Sequence, residues 1–232
     1  HNMPELLKLF NQIADIKSCE VLNIKRPEII SKKAENIVIK PSDYVIEKMK
    51  ELDMRADTVR SRLIAPKEDN LLKITTEGKA MAIDPRLVDP VAPVNSDSKI
   101  YSCIDKVLEL YKKYDNDKAL QLIFLDYGLI LYDIIKNELV LNGVKEKEIA
   151  FIGDAKNEKE KEALFDKCRN GDIRVLLGST AKMGSGTNVQ SRMIALHHLD
   201  IPWKPGDIEQ RNGRIIRQGN MYDHVHVFQY ST

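Results

Sequence analysis

Three arginines recur at every third position near the carboxyl end of the chain: Arg211, Arg214 and Arg217. A guanidinium group stays charged at physiological pH, and its planar fork can bind two phosphate oxygens at once. Cations held in this way stabilise the charge that develops on a phosphoryl group during transfer. For the arginines alone a second interpretation stays open, since most basic runs are solvated helix faces. Gly213 lies inside the row and predicts either close backbone packing or the end of a helix.

A second segment, residues 178–188, combines glycines with hydroxyl and amide side chains directly after an apolar run. Glycine lets the backbone approach a ligand closely, and exposed backbone amides can bind oxygens. A plain surface turn is the alternative. The segment is not a P-loop, because the pattern GxxxxGK followed by Ser or Thr occurs nowhere in the chain. We therefore expect that the chain does not hydrolyse ATP by itself.

Short apolar runs alternate with helical patterns from residue 99 onward. The predicted strands are residues 120–125, 148–152, 173–177, 193–199 and 225–230, and the predicted helices are residues 99–114, 128–141, 156–169 and 205–216. This alternation is typical of an α/β domain in which helices flank a mainly parallel sheet. Ligands of such sheets bind at the carboxyl ends of the strands. The loops at 126–127, 178–190 and 200–206 are therefore the predicted site.

The first 98 residues follow a different pattern. Helices are predicted at 4–20, 44–62 and 71–83, and one strand at 36–40. Residues 84–98 contain three prolines and predict an irregular crossover. We place a domain boundary there, so that residues 1–98 form a mostly helical extension and residues 99–232 form the α/β domain. The opening His1-Asn2-Met3 is typical of a tag remnant, and we expect a fragment of a longer protein.

The composition is that of an ordinary globular protein, with 43% hydrophobic residues, 31% charged residues and a net charge of +1. The overall charge does not attract nucleic acid, so any DNA contact requires a local basic patch. Cys19, Cys103 and Cys168 form no CxxC pair, which argues against a disulfide framework or a metal site and favours the cytoplasm. No apolar run approaches the roughly 20 residues of a membrane span, and no secretory signal opens the chain.

Five ordered blocks resemble the motifs of Swi/Snf-type superfamily 2 helicases. Residues 122–126 resemble motif IV, residues 178–188 resemble motif V and residues 210–220 resemble motif VI. Residues 200–205 are similar to the Asp-x-x-Trp-Asn-Pro block, and residues 149–165 fit the intervening strand and charged helix. The resemblance implies the second RecA-like lobe of a DNA-dependent ATPase, in which the mostly helical extension joins two lobes.

The resemblance also implies roles for residues of these blocks. ATP with Mg²⁺ would bind between this lobe and a first RecA-like lobe, mainly on the first lobe. Catalytic contacts are implied for three residues of the motif VI block: Gln210, Arg214 and Arg217. Nucleotide contacts are implied for Gly184, Gly186, Thr187, Asn188 and Arg211, and contacts with double-stranded DNA for Asp126, Tyr127, Thr180, Lys182 and Ser185.

The chain also looks similar to methyltransferase–helicase fusion proteins of phages and conjugative elements. Residues 3–7, 69–75 and 86–87 resemble their linker between lobes. This implies a methyltransferase domain as a further partner. Asn188 stands where many of these helicases have Asp, and Lys204 stands where Asn is usual in the Trp-Asn-Pro block.

Two other functions stay open. One is a non-enzymatic module that docks DNA or a protein, and the other is a nucleotide-binding domain of unrelated chemistry, such as a transferase. His197 and His198 are adjacent on a predicted strand and point to opposite faces, so we predict packing residues and not metal ligands. Trp203 is predicted to be a packing anchor, with base stacking as the alternative.

Overall fold

The computed structural model describes residues 3–14, 24–183 and 188–232. Its strands are β1 (Glu28–Ile29), β2 (Glu35–Val38), β3 (Leu120–Phe124), β4 (Ile149–Phe151), β5 (Val175–Gly178), β6 (Met193–His198) and β7 (His224–Ser231). Its helices are α1 (Met3–Ile13), α2 (Asp43–Arg60), α3 (Leu71–Ile83), α4 (Lys99–Lys113), α5 (Leu129–Leu141), α6 (Glu158–Asn170) and α7 (Pro205–Asn212). None of the helices in these ranges is long and apolar enough to cross a membrane.

The strands form one sheet, in the order β1-β7-β6-β3-β5-β4, and β2 also pairs with β7. Every pairing in the described ranges is parallel. Because parallel strands end at the same edge, the loops after β3, β5 and β6 lie side by side. The predicted parallel α/β fold is confirmed, and helices cover both faces of the sheet.

Alternate residues of β3 supply two hydrophobic cores, one on each face of the sheet. Ile123 packs in the core that α4 and α5 cover, whereas Leu122 and Phe124 pack in the core that α6 covers. The period of two follows from strand geometry, in which successive side chains point to opposite faces. Each face is therefore covered mainly by apolar packing, and the strand ends are where polar groups reach the surface.

The extension is mostly helical, as predicted, but it also joins the sheet. Helices α2 and α3 pack through Leu52, Ala56 and Ile74, and β2 pairs with residues 228–231 of β7. The strand predicted at 36–40 is thus confirmed, while β1 was not predicted. The domain boundary placed near residue 98 stays a prediction.

One helix differs in length from the prediction, and another is described only in part. Helix α1 spans Met3–Ile13 and buries none of its residues, and residues 15–20 of the predicted helix lie outside the described residues. Helix α7 ends at Asn212 instead of residue 216, because Gly213 caps it. Arg214 and Arg217 therefore follow the helix rather than extend along it.

Candidate functional site

Three loops meet at the carboxyl edge of the sheet and bring Asp126, Thr180 and Asp200 into contact. The backbone N–H and the hydroxyl of Thr180 donate hydrogen bonds to the Asp126 carboxylate at 2.6 and 2.9 Å. The backbone N–H of Asp126 donates to the carboxylate of Asp200. The loops after β3, β5 and β6 are thus joined by their own polar groups.

Arg211 on α7 lies at the centre of these loops and is 1% exposed. Its guanidinium forms ion pairs with Asp126 at 2.9 Å and with Asp200 at 3.0 Å. It also donates to the Thr180 hydroxyl at 2.9 Å and to the Asp200 carbonyl at 2.9 Å. A buried cation whose nitrogens are engaged in this way fixes the geometry of its partners. We call Asp126, Thr180, Asp200 and Arg211 the Arg211 cluster.

The Arg211 cluster bears on three of the predicted contacts. Arg211 is expected to bind nucleotide, yet each of its three guanidinium nitrogens already bonds to a protein atom. Asp126 and Thr180 are expected to face DNA. They lie at the surface, but Thr180 donates hydrogen bonds to the Asp126 carboxylate. These residues are therefore placed to shape the loops around them.

A second group of predicted residues lines an open cavity of about 620 Å³. Asn188, predicted to contact nucleotide, and Arg217, predicted to be catalytic, are both in its wall. Gln190 closes the wall, since its side-chain amide donates to the Gln218 carbonyl at 3.3 Å. The structure thus brings the end of the motif V block beside the motif VI block.

Arg214 and Arg217 lie close enough to repel each other. Burial, and then repulsion by Arg217, lowers the pKa of Arg214. The Arg217 side chain is exposed, and it has no ion-pair partner among the described residues. An exposed guanidinium beside a second cation, as at Arg217, is placed to bind an anion.

Other predicted site residues are spread around these two clusters. Lys182 is exposed and lines a cavity of about 510 Å³ together with Asp126. Tyr127 is half-buried and Gln210 is exposed. Four predicted residues lie outside the described residues: Gly184, Ser185, Gly186 and Thr187.

Gly178 shows why β5 ends with a glycine. A Cβ atom at Gly178 would lie 2.4 Å from Ile152 Cγ2 and 2.9 Å from Met183 Cε. The backbone of β5 can therefore approach its neighbours only without a side chain at this position. This close approach is to packed side chains, and the approach of the segment to a ligand stays a prediction.

The two histidines of β6 are packing residues, as predicted. His197 bonds to the Tyr230 hydroxyl at 2.9 Å and to Gln121 Oε1 at 3.2 Å. His198 bonds to Asn212 Oδ1 at 2.9 Å and contacts Arg211. Burial lowers the pKa of His197 to about 3 and that of His198 to about 4. In the described ranges, no group of three His, Cys, Asp or Glu side chains could hold a metal ion.

The packing role predicted for Trp203 is wrong. Its side chain is 74% exposed, and the Lys79 ammonium lies 3.8 Å from the centroid of its ring. Residue 203 follows β6 on the loop that carries Asp200, outside both hydrophobic cores. The tertiary position of that loop, and not the hydrophobicity of indole, decides its exposure.

Sequence reasoning missed several residues of these clusters. Asp200 was placed in the correct loop but not among the site residues, although a carboxylate directly after a buried strand was the available signal. Gln190, Gln218 and Gly219 lay within the predicted site loop and the motif VI block but were not named as site residues, because their role depends on how two distant loops approach each other.

An all-parallel sheet with helices on both faces and polar loops at its carboxyl edge defines a RecA-like α/β lobe. Residues 102–219 match the family described as "Helicase conserved C-terminal domain". The chain belongs to this family.

One curated relative is the Bacillus subtilis (strain 168) protein described as "Uncharacterized ATP-dependent helicase YqhH". The two are 36% identical over 163 residues, which make up 67% of this chain and 26% of that protein. The chain therefore spans about a quarter of the length of this relative.

Two solved structures from Sulfolobus solfataricus share the fold. The SWI2/SNF2 ATPase core in complex with dsDNA has a TM-score of 0.62 at 18% identity, over 98% of this chain and 46% of that chain. The SWI2/SNF2 ATPase C-terminal domain has a TM-score of 0.58 at 17% identity, over 85% and 78%. The Pyrococcus furiosus Hef helicase domain has a TM-score of 0.57 at 13% identity, over 100% and 62%. The predicted helicase C-terminal lobe is confirmed.

Proposed function

We propose that this chain is the second lobe of a DNA-dependent ATPase that acts as a helicase or duplex translocase. In this proposal Arg214 and Arg217 contact the phosphates of ATP bound between two lobes, and Arg217 is the arginine finger. The observation that carries the proposal is the cavity in which Arg217 and Asn188 share a wall. A family match over residues 102–219 supports it.

The residues around this cavity fit a nucleotide. Its volume of about 620 Å³ falls within the range of about 300–1,000 Å³ that is usual for small-molecule sites. Asn188 would contact the ribose together with Gly186, while Gly184 and Thr187 complete the proposed nucleotide contacts. Gln210 would couple the nucleotide to the face of the first lobe. When bound, ATP supplies the phosphoanhydride whose hydrolysis drives the motor, and Mg²⁺ would be held mainly by the first lobe.

The Arg211 cluster is the proposed link between nucleotide and DNA. Arg211 lies three residues before Arg214, and it also binds the loops that carry Asp126 and Thr180. A shift of one loop would therefore be transmitted to the others, since Arg211 is buried and is bonded to groups of all three loops. We assign Arg211 a positioning role instead of the direct nucleotide contact that the resemblance implies.

Duplex DNA is the proposed partner of the loops after β3 and β5. Lys182 is exposed there and would contact a phosphate, while Tyr127, Ser185 and the surface of Asp126 and Thr180 would complete the contact. Backbone phosphate contacts carry no sequence information, so such a motor needs no preferred sequence. A fusion to a methyltransferase domain and a cytoplasmic location stay predictions.

The test is ATP hydrolysis with and without duplex DNA, measured for this chain and for the natural protein that contains it. We expect the chain alone to be silent, because it has no P-loop, and the natural protein to be stimulated by DNA. If the natural protein is silent as well, the arginines have no nucleotide to contact. The non-enzymatic docking module would then replace the motor.

A further inference from the structure

A small cavity separates α3 of the extension from the loops after β3 and β6. Its volume is about 180 Å³, and its wall includes Lys79, Lys99, Tyr127, Asp200 and Thr232. One water molecule occupies about 30 Å³ of liquid, and small-molecule sites begin near 300 Å³. The cavity therefore has room for a small ion with its waters, but not for a nucleotide. It shares no lining residue with the cavity of Asn188 and Arg217.

Lys99 is an unusual residue in the wall of this cavity. It is the first residue of α4 and only 9% exposed. Among the residues that the structure describes, none lies within hydrogen-bond or ion-pair distance of its ammonium group. Partial burial lowers the pKa of Lys99, as expected for a cation that loses part of its water without gaining a partner. Buried lysines are rare unless they are paired, so an anion is the expected complement.

Lys79 brings a second ammonium group to the same cavity. Its Nζ lies 3.8 Å from the ring centroid of Trp203 and 5.9 Å from that of Tyr127. Burial also lowers the pKa of Lys79. The indole attracts the ammonium without neutralising its charge.

The carboxylate in the wall does not cancel the two lysines. Asp200 raises the pKa of both Lys79 and Lys99, but its oxygens are already bound by Arg211 and by the backbone N–H of Asp126. Tyr127 also lines the wall. The cavity thus presents two ammonium groups whose charge is only partly compensated.

We infer that the cavity of Lys79 and Lys99 binds a phosphate group. Lysine ammonium groups bind phosphate as point charges with three donors each, and two of them match a tetrahedral oxyanion in a space of this size. Two sources can supply the group, namely the backbone of duplex DNA passing the loop of Tyr127, or a free phosphate. The DNA source rests on the proposed function, whereas the phosphate site itself does not.

The first experiment titrates the 232-residue chain with inorganic phosphate at constant ionic strength. Trp203 is the single tryptophan of the chain and stacks on Lys79, so its fluorescence reports binding, and the melting temperature is a second readout. Lys99→Met and Lys79→Met should each weaken phosphate binding about tenfold, as expected for the loss of one charge-assisted contact. Lys112→Met, an exposed position on the same helix, is the matched control and should bind phosphate like the wild type.

Three results decide whether the cavity of Lys79 and Lys99 binds phosphate. Equal phosphate binding by both cavity variants and the wild type would overturn the site, as would equal stabilisation by acetate. Lys79→Met changes a half-buried residue on the outside of α3 and keeps the test valid should Lys99→Met fail to fold. A phosphate effect that disappears in these two variants and persists in Lys112→Met would establish it.

Duplex DNA binding, followed by fluorescence anisotropy at several salt concentrations, identifies the source. Should the group come from the DNA backbone, Lys99→Met lowers the slope of log affinity against log salt by about one. Unchanged DNA binding with lost phosphate binding assigns a free phosphate. A wild-type chain that binds phosphate but no DNA contradicts the DNA partner of the proposed function and leaves the phosphate site standing.

Discussion

Arg211 and Arg217 lie three positions before and after Arg214, and one is buried while the other is exposed. Arg211 is 1% exposed and bound by Asp126 and Asp200, whereas Arg217 is exposed in the wall of an open cavity. The same side chain can hold a structure together or meet a ligand, and burial with fixed carboxylates decides between these roles. The spacing of the arginines alone could not make this distinction.

Replacement of Arg211 should be among the most damaging single changes in this lobe. In Arg211→Met the carboxylates of Asp126 and Asp200 lose their common cation, and such a loss costs about 3–5 kcal/mol in buried ion pairs. Urea unfolding followed by circular dichroism measures this difference. Arg217→Met is the matched control and should change the free energy of unfolding by less than about 0.5 kcal/mol. A cost below about 1 kcal/mol for Arg211→Met would show that the cluster does not stabilise the loops.

At the scale of elements, hydrophobic periodicity predicted most of the lobe. The strands from β3 to β7 and the helices α4, α5 and α6 lie within about two residues of their predicted positions. Helix α7 was predicted too long because Ile215 and Ile216 continue the apolar spacing. Ile215 is indeed buried, but it reaches the core from a turn after Gly213.

The sequence predicted which loops form the candidate site, but it did not predict which side chains contact each other there. The strand-end rule placed Asp126, Thr180 and Asp200 in loops at one edge. Their mutual hydrogen bonds depend on the register of β3 against β5 and β6, which no local pattern encodes. The exposure of Trp203 has the same cause, since it depends on where the loop after β6 lies.

The end of β6 should make folding sensitive to mild acid. His197 and His198 have pKa values of about 3 and about 4 in the fold, below the usual value near 6.5, so the unfolded chain binds protons that the fold excludes. Their contribution is complete above pH 6.5 and is lost as pH falls toward 4. We expect the free energy of unfolding to fall by about 1 kcal/mol per histidine between pH 6.5 and 5.5.

Urea unfolding at these pH values tests whether the free energy of unfolding falls with pH and whether the buried histidines cause the fall. His197→Gln should remove about half of the histidine-dependent fall, while His224→Gln, at an exposed position, should leave it unchanged. A stability that is constant from pH 6.5 to 5.5 would mean that the buried histidines accept protons without cost.

At the scale of the whole molecule, the extension (residues 1–98) contributes two strands to the sheet in addition to its helices. Strands β1 and β2 pair with β7, and Ile39 and Ile83 lie in the same core as residues of α4 and β3. The irregular crossover at residues 84–98 predicts a domain boundary there, and that division stays a prediction. The short strands between the helices of the extension join the edge of the sheet.

A fragment of residues 99–232 should consequently be less stable than the whole chain. It exposes the edge of β7 and part of a core, which favours aggregation. Size-exclusion chromatography and thermal melting measure the effect, and we expect a melting temperature lower by about 10 °C or more, or an insoluble fragment. Removal of residues 1–14 is the control, because α1 buries no side chain. Equal melting of fragment and chain would make residue 98 a true domain boundary.

The most direct test of the motor is Arg217→Ala in the natural protein that contains this chain, with ATP hydrolysis measured at saturating duplex DNA. Arg60→Ala, an exposed residue at the end of α2, is the control and should keep full activity. If Arg217 reaches the ATP phosphates, the DNA-stimulated rate should fall by a factor of roughly 10³ while DNA binding stays unchanged. A rate equal to that of the wild type would contradict the arginine finger, and with it the role of this lobe in hydrolysis.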